Sequence, residues 1–153
     1  IALVKYWGKK EHQLPANPSL SFTLDFCATV TKLNYKKLTQ EMPAGQFSFD
    51  LLFEGEEKPD FKPKIQKFFE RVEAYVPFLK YYHFTIETSN SFPHSSGIAS
   101  SASGMAALAL CIMSLEKEMN PETTIDFFNK KASFLARLGS GSASRSVEGP
   151  LVV

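Results

Sequence analysis

The sequence predicts an α+β domain in which helices pack on one face of a mixed or antiparallel sheet. Three observations carry this expectation. Apolar and polar residues alternate along 20–30, 47–53 and 82–86, the period of strands with one wet face. Apolar residues recur at helical spacing along 60–76 and again before Gly139, and residues 102–116 are apolar on nearly every side. The resulting order is strands, helix, strand, helix, helix, strand.

In the first strand Leu20, Phe22, Leu24, Phe26, Ala28 and Val30 share one face, with Ser21, Thr23, Asp25, Cys27 and Thr29 on the other. Phe47, Phe49, Leu51 and Phe53 repeat the pattern around Ser48 and Asp50. Tyr82, Phe84 and Ile86 do so around His83, Thr85 and Glu87, which makes His83 structural. The segment 60–76 turns Ile65, Phe68, Phe69, Val72 and Val76 inward and leaves Lys64, Lys67, Glu70, Arg71 and Glu73 on a solvated side. The run 102–116 predicts a helix buried in the middle of the domain, with Ser100 or Ser101 as its N-cap. Asn120-Pro121-Glu122 supplies an N-cap, a first-turn proline and an early acid for a third helix, with Ile125, Phe128, Ala132 and Leu135 inward. Both chain ends, Ile1-Ala2-Leu3-Val4 and Leu151-Val152-Val153, read as strands. No internal repeat or low-complexity block interrupts the pattern.

A chain of 153 residues with 44% hydrophobic content and 14 Phe builds one domain with a real core. A formal net charge of +1 gives no reason to expect nucleic acid or an anionic membrane as the main partner, so any basic site is local. Cys27 and Cys111 lack metal-ligand spacing and read as buried free thiols, which suits a reducing cytoplasm. No apolar run reaches the length of a membrane span.

Three polar clusters stand out from this scaffold. The first, Lys5-Tyr6-Trp7-Gly8-Lys9-Lys10, gathers three cations and two amphipathic aromatics; it is either an exposed turn anchored by Trp7 or a phosphate site. The second, FPHSSGIASSASG at 92–104, places five serines and two glycines before the buried helix. It is either a flexible connector or a loop whose N–H groups and hydroxyls face an anion, with His94 inside it. The third, Arg137-Leu138-Gly139-Ser140-Gly141-Ser142-Ala143-Ser144-Arg145-Ser146, combines close backbone approach, hydroxyls and the bidentate fork of Arg145. Two Gly/Ser cradles and a Lys/Tyr cluster in one domain call for ligands carrying several negative charges, such as a nucleotide with a phosphorylated substrate.

At these clusters the sequence resembles the diphosphomevalonate decarboxylases, a branch of the GHMP kinase superfamily. ALVKYWGKK with LPANPSLSFTL is similar to the family's N-terminal signature, PHSSGIASSASG to its phosphate-binding loop and LGSGSASRS to its substrate-binding segment, in the family's order. The resemblance implies the GHMP N-terminal domain, similar to the second domain of a small-subunit ribosomal protein. It also implies ATP-dependent decarboxylation of mevalonate 5-diphosphate to isopentenyl diphosphate by way of the 3-phosphate. It implies that Lys5 orients the substrate, that Tyr6 and Lys9 meet its diphosphate, and that Ser140, Ser142 and Arg145 hold it, Arg145 at the carboxylate. Ser95, Ser96, Gly97, Ala99, Ser100 and Ser101 then wrap the phosphates of ATP. Mg²⁺ would arrive with ATP, with no protein ligand named for it.

The family's catalytic aspartate belongs to a C-terminal domain, so residues 1–153 are expected to be one domain of a longer enzyme and inactive in isolation. A cytoplasmic homodimer is the implied setting. Ser144 stands where the family has Cys, and Glu148-Gly149-Pro150 puts an acid and a rigid turn beside the anion site. The alternatives are a related GHMP enzyme, either a mevalonate 3-kinase or a phosphomevalonate decarboxylase, and a non-catalytic RNA-binding module on the same fold.

Overall fold

The computed structural model describes residues 1–5, 7–93 and 97–152. Its elements are β1 (Ala2–Val4), β2 (Leu20–Phe22), β3 (Thr29–Lys37), β4 (Ser48–Phe53), β5 (Glu56–Glu57), α1 (Lys62–Val72), β6 (Tyr82–Asn90), α2 (Ser100–Met119), α3 (Ile125–Gly139) and β7 (Leu151–Val152). They form an α+β domain with two sheets. One has the order β3-β6-β4-β5 and the other β1-β2-β7.

The four-stranded sheet is mixed. β3 and β6 pair antiparallel in nine steps from Thr29↔Asn90 to Lys37↔Tyr82, while β4 runs parallel to β6. The β4–β5 hairpin turns at Glu54-Gly55, both with positive φ, where Gly55 carries no steric cost. On the sheet's inner face Leu33, Phe84, Ile86, Phe49 and Leu51 meet the helices, with Phe84 fully buried and Ile86 nearly so. On the outer face Lys32 and Asn34 reach Glu87, and His83 lies between Ser48 and Asp50. His83 is thus structural, as its place in the strand implies.

The helices cover only the inner face. Phe69 of α1 centres a ring cluster, 5.3 Å from Phe49, 5.4 Å from Phe47 and 6.0 Å from Phe84. α2 is the buried helix that its apolar composition predicts, with Ala109, Ile112 and Met113 at zero exposure. Gly139 ends α3 where a Cβ would stand 2.7 Å from Met105 Sδ and 3.0 Å from Phe68, so the close approach of α1, α2 and α3 requires glycine there. Lys131 of α3 clamps the α2 carboxylate of Glu116 at 2.8 and 2.7 Å.

Several boundaries differ from the sequence reading. The run at 20–30 is two strands in two sheets. Ser91 holds the link open, its Oγ donating to Phe26 O and accepting from Ala28 N, so the chain leaves β2 and enters β3 through a bend while the alternation continues. The faces are inverted at the run's two ends, where Ser21 is 7% exposed and Phe26 and Val30 are 92% and 67% exposed, while between them Leu24 is half-buried and Thr23 and Asp25 are exposed.

α1 starts at Lys62 behind a 3-10 turn at Pro59–Phe61, and Val76 is buried beyond its end. Asn120 closes α2 instead of opening α3, because a residue before proline is pushed out of the helical region, here to φ −129° and ψ 78°. α3 is capped by Thr124, whose side chain accepts from Phe127 N, and Ile125 is exposed. Both chain-end strands exist, and they flank β2.

Candidate functional site

The inner face of the sheet changes character toward one end. Where Leu33 and Ile86 give way to Thr31, Thr88, Thr29 and Asn90, the side chains shorten and bond to one another. Thr31 Oγ1 lies 2.9 Å from Thr88 Oγ1, and Thr29 Oγ1 lies 2.7 Å from both Asn90 Oδ1 and Ser103 Oγ. Small residues of α2, Ser100, Ser101 and Gly104, stand opposite, so helix and sheet do not fill the space between them. A cavity of about 330 Å³ results, closed on its apolar side by Phe53, Phe61, Ile65 and Met105.

A second cavity of about 1060 Å³ opens on the other side of the α2 N-terminus. Thr29, Ser100 and Ser101 line both, so the two adjoin through one wall. The larger one gathers all three polar clusters of the sequence: Lys5 beyond β1, Gly97, Ala99, Ser100 and Ser101 at the helix start, and Ser142 and Arg145 after α3. Its apolar wall is Phe22, Leu24, Ala106, Ala107 and Leu110.

The helix start is not capped as its serines predict. The N-cap is Ala99, left-handed at φ 57° and ψ 41°, with no side-chain cap, so Ser100 and Ser101 already lie within the helix. Gly97 precedes it at φ 82°. Ala102 N and Ser103 N donate to Ala99 O, so the N–H groups that a helix start leaves without an intrahelical acceptor are those of Ser100 and Ser101, both at the cavity wall, where the positive end of the α2 dipole lies. Lys64 of α1 adds a full charge there by donating to Ser101 Oγ. Its side chain stays exposed overall, yet desolvation of the ammonium, and then repulsion from Lys9, hold its pKa below the ordinary 10.5. The periodicity of α1 had assigned Lys64 to the solvated side; no signal in the sequence marks its reach to α2.

Arg145 is anchored from below, its Nη1 donating to the Oγ of Ser19, itself 7% exposed. Lys9 and Ser140 stand outside the cavity linings. Lys9 donates to Gln13 Oε1 at 2.7 Å, and Ser140 is the C-cap of α3, donating its N–H to Ala136 O. Tyr6, Ser95, Ser96 and His94 lie outside the described residues. The Trp7 ring is 81% exposed, and its backbone N–H donates to Asn17 Oδ1. Ser144 and Glu148 do not line the cavity: Ser144 O accepts from Ser133 Oγ, and Glu148 acts on Lys130.

Among the described residues no three His, Cys, Asp or Glu side chains gather to hold a metal ion. Among the described residues the side-chain donors lining the two cavities are hydroxyls, the Cys27 thiol, the Asn90 amide and cations, with no carboxylate. Such a set fits magnesium carried on nucleotide phosphates and not one held by protein carboxylates. Cys27 and Cys111 are free thiols; Cys111 donates to Thr31 O and burial pushes its pKa up. Among the described residues no helix is long and apolar enough to cross a membrane.

The chain is 33% identical over 165 residues to the diphosphomevalonate decarboxylase of Saccharomyces cerevisiae, covering 99% of this chain and 38% of that protein. Its backbone matches the crystal structure of mevalonate diphosphate decarboxylase from Staphylococcus aureus with a TM-score of 0.76 and 36% identity, over 99% of this chain and 42% of the other. A solved structure described as MDDEF in complex with MVAPP, AMPPCP and magnesium matches with a TM-score of 0.74 and 34% identity, over 99% and 42%. The chain thus spans about two fifths of the length of these relatives. The family model for the diphosphomevalonate decarboxylase-like N-terminal domain matches residues 1–153, and the chain belongs to that family.

Proposed function

We propose that this chain is the nucleotide- and acceptor-binding domain of an ATP-dependent decarboxylase acting on mevalonate 5-diphosphate. The observation that carries the reading is the pair of adjoining cavities: a small one with an apolar wall, a large one with cations, and the α2 N-terminus between them. A nucleotide has that division. Its base suits the smaller cavity, and its phosphates suit the first-turn N–H groups, the hydroxyls of Ser100 and Ser101, and Lys64. The acceptor then occupies the larger cavity, its anionic groups held by Lys5, Ser142 and Arg145. Tyr6, Lys9, Ser140, Ser95 and Ser96 belong to the same proposal through the resemblance of their motifs.

In the proposed reaction the 3-hydroxyl oxygen bonds to the γ-phosphorus, the β,γ-bridging oxygen leaves with ADP, and the hydroxyl proton departs. The C3–O bond then breaks with its electron pair on phosphate. The bond to the carboxylate supplies the pair that forms the alkene, and carbon dioxide leaves. Fixed cations at both ends of the acceptor hold the carboxylate and leaving group in position for this fragmentation. Magnesium, when bound, neutralises charge on the transferring phosphoryl group. The general base is assigned to a second domain, so the 153 residues alone are expected to bind ligands without turnover. A homodimer in the cytoplasm completes the proposal; free thiols suit that compartment.

The test compares mevalonate, its 5-phosphate and its 5-diphosphate as substrates of the full-length protein with Mg-ATP. Release of carbon dioxide and phosphate fastest from the diphosphate is expected. Phosphorylation without decarboxylation, or a preference for the monophosphate, would point to a related kinase or decarboxylase of the superfamily. RNA binding without ATP binding would overturn the enzymatic reading.

A further inference from the structure

Helix α2 begins without a local cap. The side chain of its N-cap, Ala99, has no acceptor to offer the first turn, and Ala102 N and Ser103 N share Ala99 O. A turn left uncapped frays unless something else fixes it. Here a chain of polar side chains reaches it from the sheet: Ser103 Oγ lies 2.7 Å from Thr29 Oγ1, which lies 2.7 Å from Asn90 Oδ1. Each hydroxyl carries one proton, so the direction of the chain can be read. Asn90 Oδ1 only accepts and takes the Thr29 proton. Ser103 therefore donates to Thr29, over a shorter distance than the 3.1 Å to its other acceptor, Ser100 O. Thr29 and Asn90 are paired across β3 and β6, which makes the anchor rigid.

We infer that Thr29 and Ser103 are positioning residues for the nucleotide phosphates: they tie the first turn of α2 to the sheet, so that the N–H groups of Ser100 and Ser101 keep a fixed aim. The inference rests on the function proposed above. A capping side chain would also hold the turn, but it takes the N–H of the second or third helical residue, and the second is Ser101. A bond made from the flank of the helix, at Ser103, fixes the turn and leaves that donor to a ligand. Lys64 secures the same turn from α1 through Ser101 Oγ. Ser103 stands outside the lining of the smaller cavity, and Thr29 acts on the turn through it.

The experiment uses the full-length protein with four variants, Ser103→Ala, Thr29→Val, Thr29→Ser and Ser103→Ala/Thr29→Val. It measures the dissociation constant of Mg-ATP, the KM values for ATP and mevalonate 5-diphosphate, and the melting temperature. Ser103→Ala is the sharpest of the four, because alanine is the better helix former: a merely structural serine predicts unchanged binding and a melting temperature at or above wild type. The expected result is that same melting temperature together with Mg-ATP binding weakened about fivefold, a matching rise in the ATP KM, and an acceptor KM within about a factor of two of wild type. Thr29→Val is expected to weaken Mg-ATP binding equally and to lower the melting temperature by stranding Asn90 Oδ1, whereas Thr29→Ser keeps the hydroxyl and restores the affinity. The double variant should bind Mg-ATP no more weakly than either single one, since both cut the same bond. If wild type binds Mg-ATP and Ser103→Ala binds it as tightly, the inference is wrong while the function stands. A rise in the acceptor KM alone would make Ser103 an acceptor contact and end its positioning role. Additive losses in the double variant would show that the two hydroxyls act separately, against the chain. If wild type binds no Mg-ATP, function and inference fall together.

Discussion

Strands β6 and β2 both alternate apolar and polar residues, and the structure uses them in opposite senses. In β6 the apolar set, Phe84 and Ile86, is buried against α1 and α2, and Thr85 and Glu87 stay near water. In β2 the hydroxyl set is buried and the apolar set is partly exposed. The same contrast extends to the regions around them. Polar groups in the helical core close on each other, as Glu116 does on Lys131, whereas those around β2 and the α2 N-terminus open onto a cavity. Alternation therefore gives a strand and its two faces; which face is buried depends on whether the strand serves a core or a site.

The largest effect that would break this comparison comes from the core strand. Phe84→Ala should destabilise the protein by about 3–5 kcal/mol, since the ring is fully buried and cannot be replaced by collapse of its neighbours. Denaturant unfolding checks this, and a loss under about 1 kcal/mol would mean that the two strands do not differ as described.

Next in size is the closed polar pair. Lys131→Met should cost about 2–4 kcal/mol because it strands the Glu116 carboxylate, whose side chain is 12% exposed. Adding Glu116→Leu should recover most of that loss. A double variant as unstable as the single one would show that packing, not the stranded charge, is responsible.

The smallest effect is at the open end of α2. Lys64→Met should weaken ATP binding about tenfold with little change in stability. The sign of its pH dependence follows from its depressed pKa. Being harder to charge when folded, Lys64 contributes stability as pH rises through its folded value, while nucleotide phosphates favour the charged form. ATP affinity should therefore fall on the same rise, below the ordinary lysine range. Lys64→Arg, which stays charged, should lose that alkaline limb when binding is titrated against pH.

The sequence was most legible where one physical demand acts alone. Phe47 and Phe84 line neither cavity and answer only to burial, and their alternation reads correctly. The 102–116 run is apolar all round and proves to be the buried helix. Residues from all three polar clusters, Lys5, 97–101, Ser142 and Arg145, line one cavity, and they were legible because cations, glycines and hydroxyls gathered at element ends have few structural uses. What failed had two demands at once. The serines at 100 and 101 resemble caps, but Ala99 takes that position and leaves the first turn to a ligand. Lys64 sits on the polar side of an amphipathic helix yet reaches across to Ser101, a tertiary contact that periodicity does not encode. Ser21 reads as part of a wet face because alternation carries no sign.

The division of the site is tested most directly by steady-state kinetics of Arg145→Ala in the full-length protein with Mg-ATP and mevalonate 5-diphosphate. The account predicts that the acceptor KM rises at least tenfold while the KM for ATP stays within a factor of two. A rise in the ATP KM with the acceptor unaffected would contradict it, because the cationic end of the larger cavity would then belong to the nucleotide.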